Sequence, residues 1–188
     1  MGVDARAVTT RLGREDDLDA LMAMYAAVVG AMEGTAEDVG WVMGSHPSRA
    51  GLAEAIDAGT LIVATCGRED ASAAQAGLAG ALIVDGAQPS GYEDVRWSVE
   101  ADAARVGVIH LFATAPWARG RGVARALLAA AAEHARQHGC VTLRLDVFPN
   151  AAHAIAVYGA CGYTDLGLHT IVYPTCDNTA FRVMDTVL

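Results

Sequence analysis

The chain has 188 residues, 53% of them hydrophobic and 19% charged, with a formal net charge of -9. That balance describes a globular chain long enough to bury a core and excludes wholesale disorder. An acidic chain lacks the basic face of a general nucleic-acid binder, and no run reaches the roughly 18 uninterrupted apolar residues of a membrane helix.

One domain spanning residues 1–188 is the expected organisation. Met1 to Gly13 carries Asp4, Arg6 and Arg11 and shows no secretory apolar core. A cytoplasmic location is therefore expected. The four cysteines, Cys66, Cys140, Cys161 and Cys176, form no C-x-x-C pair and no zinc spacing. They read as reduced, mostly buried side chains, and no metal is expected.

In chain order, Ala7 to Leu12 reads as a strand. From Asp16 to Ala31 the apolar residues Leu18, Leu21, Met22, Tyr25, Val28 and Val29 recur at helical spacing behind an acidic start. Ser48 to Asp57 is a second helix, with Pro47 in a first-turn position and Gly59 past its end. Thr60 to Cys66 and Leu78 to Val84 read as strands. Asp85 to Ala104 is a long irregular insert containing Tyr92, Trp97 and several acids, a length that often carries function. The strand Val106 to Thr114 follows, then an Arg/Gly turn, a helix from Val123 to His138 and the capping Gly139. Val141 to Val147 is a strand and Ala151 to Ala160 a helix ended by Gly162. Tyr163 to Leu168 and Phe181 to Val187 are the final strands. Such alternation predicts a layered α/β (α+β) domain with a mixed sheet.

The most informative stretch is Pro116-Trp117-Ala118-Arg119-Gly120-Arg121-Gly122. A strand feeding a glycine turn at a helix start is a backbone recipe for holding phosphate. Glycines let N–H groups approach an anion closely, and the first N–H groups of a helix have no internal partner. On its own, R-G-x-G is equally a plain strand-to-helix turn. It is neither a Walker loop nor a G-x-G-x-x-G fingerprint, since Val123, Ala124 and Arg125 follow Gly122.

Arg119 to Ala124 resembles the [RQ]-x-x-G-x-[GA] coenzyme signature of GNAT-type N-acetyltransferases. Leu143 to Asn150 and Ala156 to Tyr163, with a tyrosine on the helix and Gly-Tyr after it, are similar to the second half of that fold. Tyr92 to Ser98 and Val108 to Leu111 resemble a bacterial subgroup of the same family. This likeness implies a GNAT fold whose mixed central sheet has a splayed coenzyme-binding strand and helices on both faces. It implies acetyl-CoA as cosubstrate, with Phe112, Ala113 and Thr114 offering backbone groups to the pantetheine arm. Arg119, Gly120, Arg121, Gly122, Val123 and Ala124 would then cradle the pyrophosphate. The family's asparagine on the coenzyme arm falls at Ala151, one residue after Asn150, which either restores the contact or caps the helix.

Acyl transfer to an amine needs a neutral nucleophile, a stabilised oxyanion and a proton for the departing thiolate. By resemblance Tyr158 supplies that proton; alternatively it is a core tyrosine. A strand N–H near Phe112 or Ala113 would hold the oxyanion. His110 occupies a slot where relatives carry a glutamate and is either the base or a packed strand histidine. Asp146 matches a catalytic carboxylate position, or is a solvated strand end or helix cap. Glu93, Glu100 and Asp102 in the insert suit a cationic substrate, and Trp41, His46, Trp97 and Trp117 are candidate cation–π or packing residues. The expected activity is direct acetyl transfer in a ternary complex to a small-molecule or peptide amine, without metal or covalent enzyme intermediate. The cysteines lie outside the coenzyme motif. Homodimerisation is compatible with the sequence; nucleic acid and membrane are not expected partners. Two rivals stay open: a non-catalytic acyl-CoA sensor, and a protein acetyltransferase acting on an α-amine or lysine. The latter is suggested by a faint likeness of Tyr173 to Asp177 to the ribosomal-protein type.

Overall fold

The computed structural model describes residues 7–67, 77–174 and 179–188. Seven strands form one sheet in the order β1-β2-β3-β4-β5-β7-β6. They are β1 (Thr9–Leu12), β2 (Leu61–Thr65), β3 (Leu78–Asp85), β4 (Val106–Thr114), β5 (Thr142–Val147), β6 (Thr164–Thr170) and β7 (Ala180–Val187). The helices are α1 (Leu18–Met32), α2 (Arg49–Asp57), α3 (Val123–Gln137) and α4 (Ala152–Ala160). This is the expected mixed α/β architecture, with the β4 bounds as read from the sequence. Pro47 differs: it lies just ahead of α2 rather than in its first turn. Ser48 is the N-cap, its hydroxyl accepting from the Gly51 N–H at 3.1 Å. The Cys176 thiol and the segment Thr175 to Asp177 lie outside the described residues. Of the other cysteines only Cys66 is fully buried.

Period-2 patterning explains how the layers meet at β4. Val106 and Val108 join an apolar cluster with Tyr92 and Val95 of the insert. Gly107, between them, points the other way: a Cβ there would meet Leu143 at 2.7 Å and Ala135 of α3 at 3.5 Å. So α3 covers one face of this strand and the insert covers the other.

β4 and β5 are the parallel pair, and their register runs only from Val106↔Thr142 to Val108↔Arg144. Beyond Val108 the two strands part. On its other edge β4 pairs antiparallel with β3, and that register slips between Ala81 and Ile83. The slip is a bulge in β4, where Leu111 and Phe112 face the single residue Leu82, and the φ of 49° at Leu111 is left-handed in a residue other than glycine. Such a backbone costs about 1–3 kcal/mol and persists only where its surroundings enforce it. The enforcing contact comes from α1: the fully buried Tyr25 donates its hydroxyl to the Leu111 carbonyl at 2.6 Å. Leu21, Met24, Tyr25 and Val28 form the buried face of α1 that carries it there.

Tyr25→Phe keeps the ring and leaves the Leu111 carbonyl unpaired, which costs about 1–3 kcal/mol. Denaturant unfolding is expected to show that loss, with an unchanged m-value.

Candidate active site

The parting of β4 and β5 opens a cavity of about 530 Å³. One end is walled by Phe112, Ala113 and Thr114 after the bulge, by the turn before α3, and by α4. In the turn, Gly120 and Gly122 have φ of 76° and 82°. A Cβ on Gly122 would meet nothing within 4 Å, so the glycine is required by its backbone and not for room. The first N–H groups of α3, from Val123 to Arg125, lack internal acceptors and sit at the positive end of a 15-residue helix.

The sequence-predicted cradle residues divide here. Arg119, Gly120, Gly122, Val123 and Ala124 line the cavity, and Arg125 joins them. Arg121 turns aside: its NH1 donates to the Gly67 carbonyl at 3.2 Å, and its guanidinium lies 5.9 Å from the Trp117 ring centre. Asn150 also faces elsewhere. Its amide donates to the carbonyls of Ala36 at 3.1 Å and Asp38 at 2.8 Å, fastening the loop after α1. Nor does it cap α4, whose N-cap is Ala151. Glu37 of the same loop accepts from the His153 N–H at 3.0 Å instead.

Tyr158 projects from α4 into the cavity wall, with ring centres 5.5 Å from Phe112 and 5.7 Å from Tyr163. Burial holds its hydroxyl protonated far above the ordinary phenol range, with the nearby Tyr163 and Asp146 adding to the effect. A hydroxyl so placed is a proton donor at any physiological pH.

Across the cavity, His110 and Asp146 share the other end. His110 Nε2 lies 3.1 Å from the Ala87 carbonyl and 3.3 Å from Asp85 Oδ1. Both neighbours are acceptors, so Nε2 carries the proton and Nδ1 keeps the lone pair in the neutral ring. Burial opposes the charged ring. The Asp85 hydrogen bond and charge, with Asp146 and the Ala87 carbonyl, outweigh it and raise the His110 pKa. Asp85 is correspondingly held below its usual range: burial pushes its carboxyl up, and the His110 and Ala87 hydrogen bonds and the His110 charge pull it further down. The pair stabilises the fold most between about pH 4 and the ordinary imidazole value of about 6.5; the contribution is lost as pH falls through the folded pKa of Asp85 or rises through that of His110.

Asp146 sits in a polar cage that is not evident in the sequence. Its Oδ1 accepts from the hydroxyls of Tyr92 at 2.8 Å and Tyr173 at 2.6 Å. Burial raises its pKa above the usual carboxylate range against the pull of those bonds and of His110. Tyr92 belongs to the insert, which is anchored by buried charge. Asp185 accepts from the Ser98 N–H at 2.7 Å and from its hydroxyl at 2.8 Å. The buried Arg144 donates to Gln88 and to the Val99 carbonyl, its guanidinium 4.4 Å from the Trp97 ring centre. Trp97 is thus a packing residue whose Nε1 donates to the Tyr92 carbonyl. Glu93 and Glu100 surround a separate hollow beside Arg144, and only Trp41 and His46 of the aromatic candidates line the cavity. Among the described residues, no group of three or more His, Cys, Asp or Glu is placed to hold a metal ion, and no helix is long and apolar enough to cross a membrane.

A sequence model of the acetyltransferase (GNAT) family matches residues 39–163, a range that includes β4, the turn before α3, and α4. The chain belongs to this family. The GNAT fold is also that of solved structures at low sequence identity. A GNAT-family acetyltransferase from Streptococcus agalactiae superposes with a TM-score of 0.75 at 19% identity, covering 96% of this chain and 95% of that one. YncA from Salmonella typhimurium, solved with its cofactor acetyl-CoA, gives 0.63 at 16% identity, covering 97% and 94%. A ribosomal-protein-alanine N-acetyltransferase from Brucella melitensis gives 0.61 at 22% identity, covering 96% and 99%. No curated protein matches the chain.

Without its carboxylate partner, His110 is left to burial, which disfavours the charged ring. In Asp85→Asn the imidazole pKa, followed by NMR titration, is expected to fall from above the ordinary histidine range to below that of the unmodified protein.

Proposed function

We propose that this GNAT protein is an acetyl-CoA-dependent N-acetyltransferase acting by direct attack of a primary amine, within a single domain. The observation that carries the reading is the joint geometry of one cavity: an open strand edge and glycine turn at one end, a Tyr158 hydroxyl between, and His110 with Asp146 at the other. The residues present fit the coenzyme. The left-handed Gly120–Gly122 turn and the N–H groups of Val123 to Arg125 offer donors to a pyrophosphate, with Arg119 and Arg125 beside them. The edge of β4 past Val108 leaves Phe112 to Thr114 available to an extended amide arm.

When bound, acetyl-CoA supplies the acyl group as a thioester with a thiolate leaving group. Asp146 holds the incoming ammonium, and His110 accepts one of its protons at Nδ1, directly or through water. Backbone N–H groups beside the Leu111 bulge stabilise the negative charge that develops on the acyl oxygen as the carbon–nitrogen bond forms. Tyr158 gives its proton to sulfur as the carbon–sulfur bond breaks, and recovers one from the acylated nitrogen through water. The net release is one proton per acetyl group. Arg121 and Asn150 support the reading only indirectly, by bracing the turn and the loop after α1.

Saturating acetyl-CoA or CoA should raise the melting midpoint by roughly 5–10 °C, whereas NADH and ATP should not. In Gly122→Val the strained turn is expected to abolish the shift while circular dichroism stays native. Tyr158→Phe should lower kcat by about 100-fold or more with the acetyl-CoA shift retained. For the unmodified enzyme kcat/KM should climb with pH through an inflection above the ordinary imidazole pKa, because His110 must be neutral to accept a proton. His110→Gln should lose that limb.

A further inference from the structure

The acceptor end of the cavity has a chemical character of its own. Phe148, Phe181 and Tyr173 form a continuous ring cluster, with centres 4.7 Å apart for Phe148–Phe181 and 5.6 Å for Tyr173–Phe181. The Tyr173 hydroxyl leads from that cluster to Asp146. Asp146 Oδ1 accepts from two tyrosines, and its carboxylate lines the cavity. Trp41 and Val42 line the same cavity from the loop after α1.

The cations are equally telling. Among the described lining residues the arginines are Arg119 and Arg125, both at the coenzyme turn. The chain has no lysine at all: its 13 Lys-plus-Arg residues are arginines throughout. Burial and the charge of His110 hold His46 below the ordinary imidazole range, so it stays neutral. His110 has Nε2 committed to Asp85 and the Ala87 carbonyl. An ammonium on an apolar body finds a carboxylate and aromatic faces here, while a substrate carboxylate would find Asp146 and no guanidinium.

Both segments flanking this end are fastened. Asn150 and the Glu37–His153 bond hold the loop at residues 36–38 onto the start of α4. The segment after β6 is held by the Tyr173–Asp146 bond and by the Val172 N–H to the Ser90 carbonyl at 3.0 Å. Fastened walls on two sides suit a compact molecule better than a polypeptide chain.

Resting on the acetyltransferase reading above, we infer that the acceptor is a small primary amine on an apolar, aromatic-sized body without a carboxylate beside the amine. Asp146 and the Phe148–Phe181–Tyr173 cluster are its specificity determinants.

The test is a thiol-release assay on the full chain with saturating acetyl-CoA. The amines are 2-phenylethylamine, phenylalanine, putrescine and a peptide bearing a free α-amine and a lysine. The expected kcat/KM for 2-phenylethylamine exceeds that of each of the others by about 100-fold, since phenylalanine buries an unpaired carboxylate and putrescine a second charge. Asp146→Asn is expected to raise KM for 2-phenylethylamine by about 10-fold or more, the size of a lost charge-assisted contact, with acetyl-CoA stabilisation unchanged. Comparable turnover of phenylalanine, or putrescine or the peptide as the best substrate, overturns the inference. So does an absence of turnover with all four amines when acetyl-CoA still raises the melting midpoint, a result that leaves coenzyme binding standing. If acetyl-CoA produces no shift in the same preparation, the parent reading falls and this inference with it.

Discussion

One hydrogen bond organises this molecule: the buried Tyr25 hydroxyl on the carbonyl of Leu111. The left-handed backbone at Leu111 carries a cost, and the Tyr25 hydroxyl gives its carbonyl a partner in that conformation. With the bulge held, β4 keeps its register with β3 on one edge and diverges from β5 on the other. The gap so created is the cavity. His110 and the Phe112 to Thr114 edge flank a kink whose carbonyl is held by α1, 86 residues away in the chain.

A second constraint works from the opposite face. The buried Arg144 and Asp185 each grip the insert, Arg144 through Gln88 and Val99 and Asp185 through Ser98, and Trp97 lies over the guanidinium. Buried charges are stabilised by such partners. The consequence at the cavity is that Tyr92, fixed by Trp97 and its own ring packing, delivers its hydroxyl to Asp146. Hydrogen bonds that anchor the insert thereby help to aim the Asp146 carboxylate in the cavity. Because Tyr173 reaches the same oxygen from the segment after β6, three remote parts of the chain meet on one atom.

Local sequence carried the fold because its signals are local. The bounds of β4 follow from an apolar run ended by Pro116, and the start of α3 from Gly120 and Gly122 just ahead of it. The positions of Tyr158, His110 and Asp146 around one cavity follow from strand and helix register once those elements are placed. What periodicity does not encode is the partner of a polar side chain across a long loop. Asn150 looks free to face a ligand, yet its amide serves carbonyls 112 and 114 residues away. Arg121 reads as a site residue from its chemistry, but it is consumed by a neighbour that only tertiary packing supplies. Tyr25 carried one local sign, an aromatic on the apolar stripe of α1. Its hydroxyl needed an acceptor, but which one was not legible.

The central claim is that the coenzyme lies along the parted edge of β4 and on the turn before α3. Hydrogen exchange with and without acetyl-CoA tests it most directly, since amides that gain a partner slow their exchange. The expected result is new protection over residues 109–114 and 119–125, with little change in the insert at residues 92–105. Binding accompanied by protection confined to the insert or to β6 and β7, with none along β4, would contradict it.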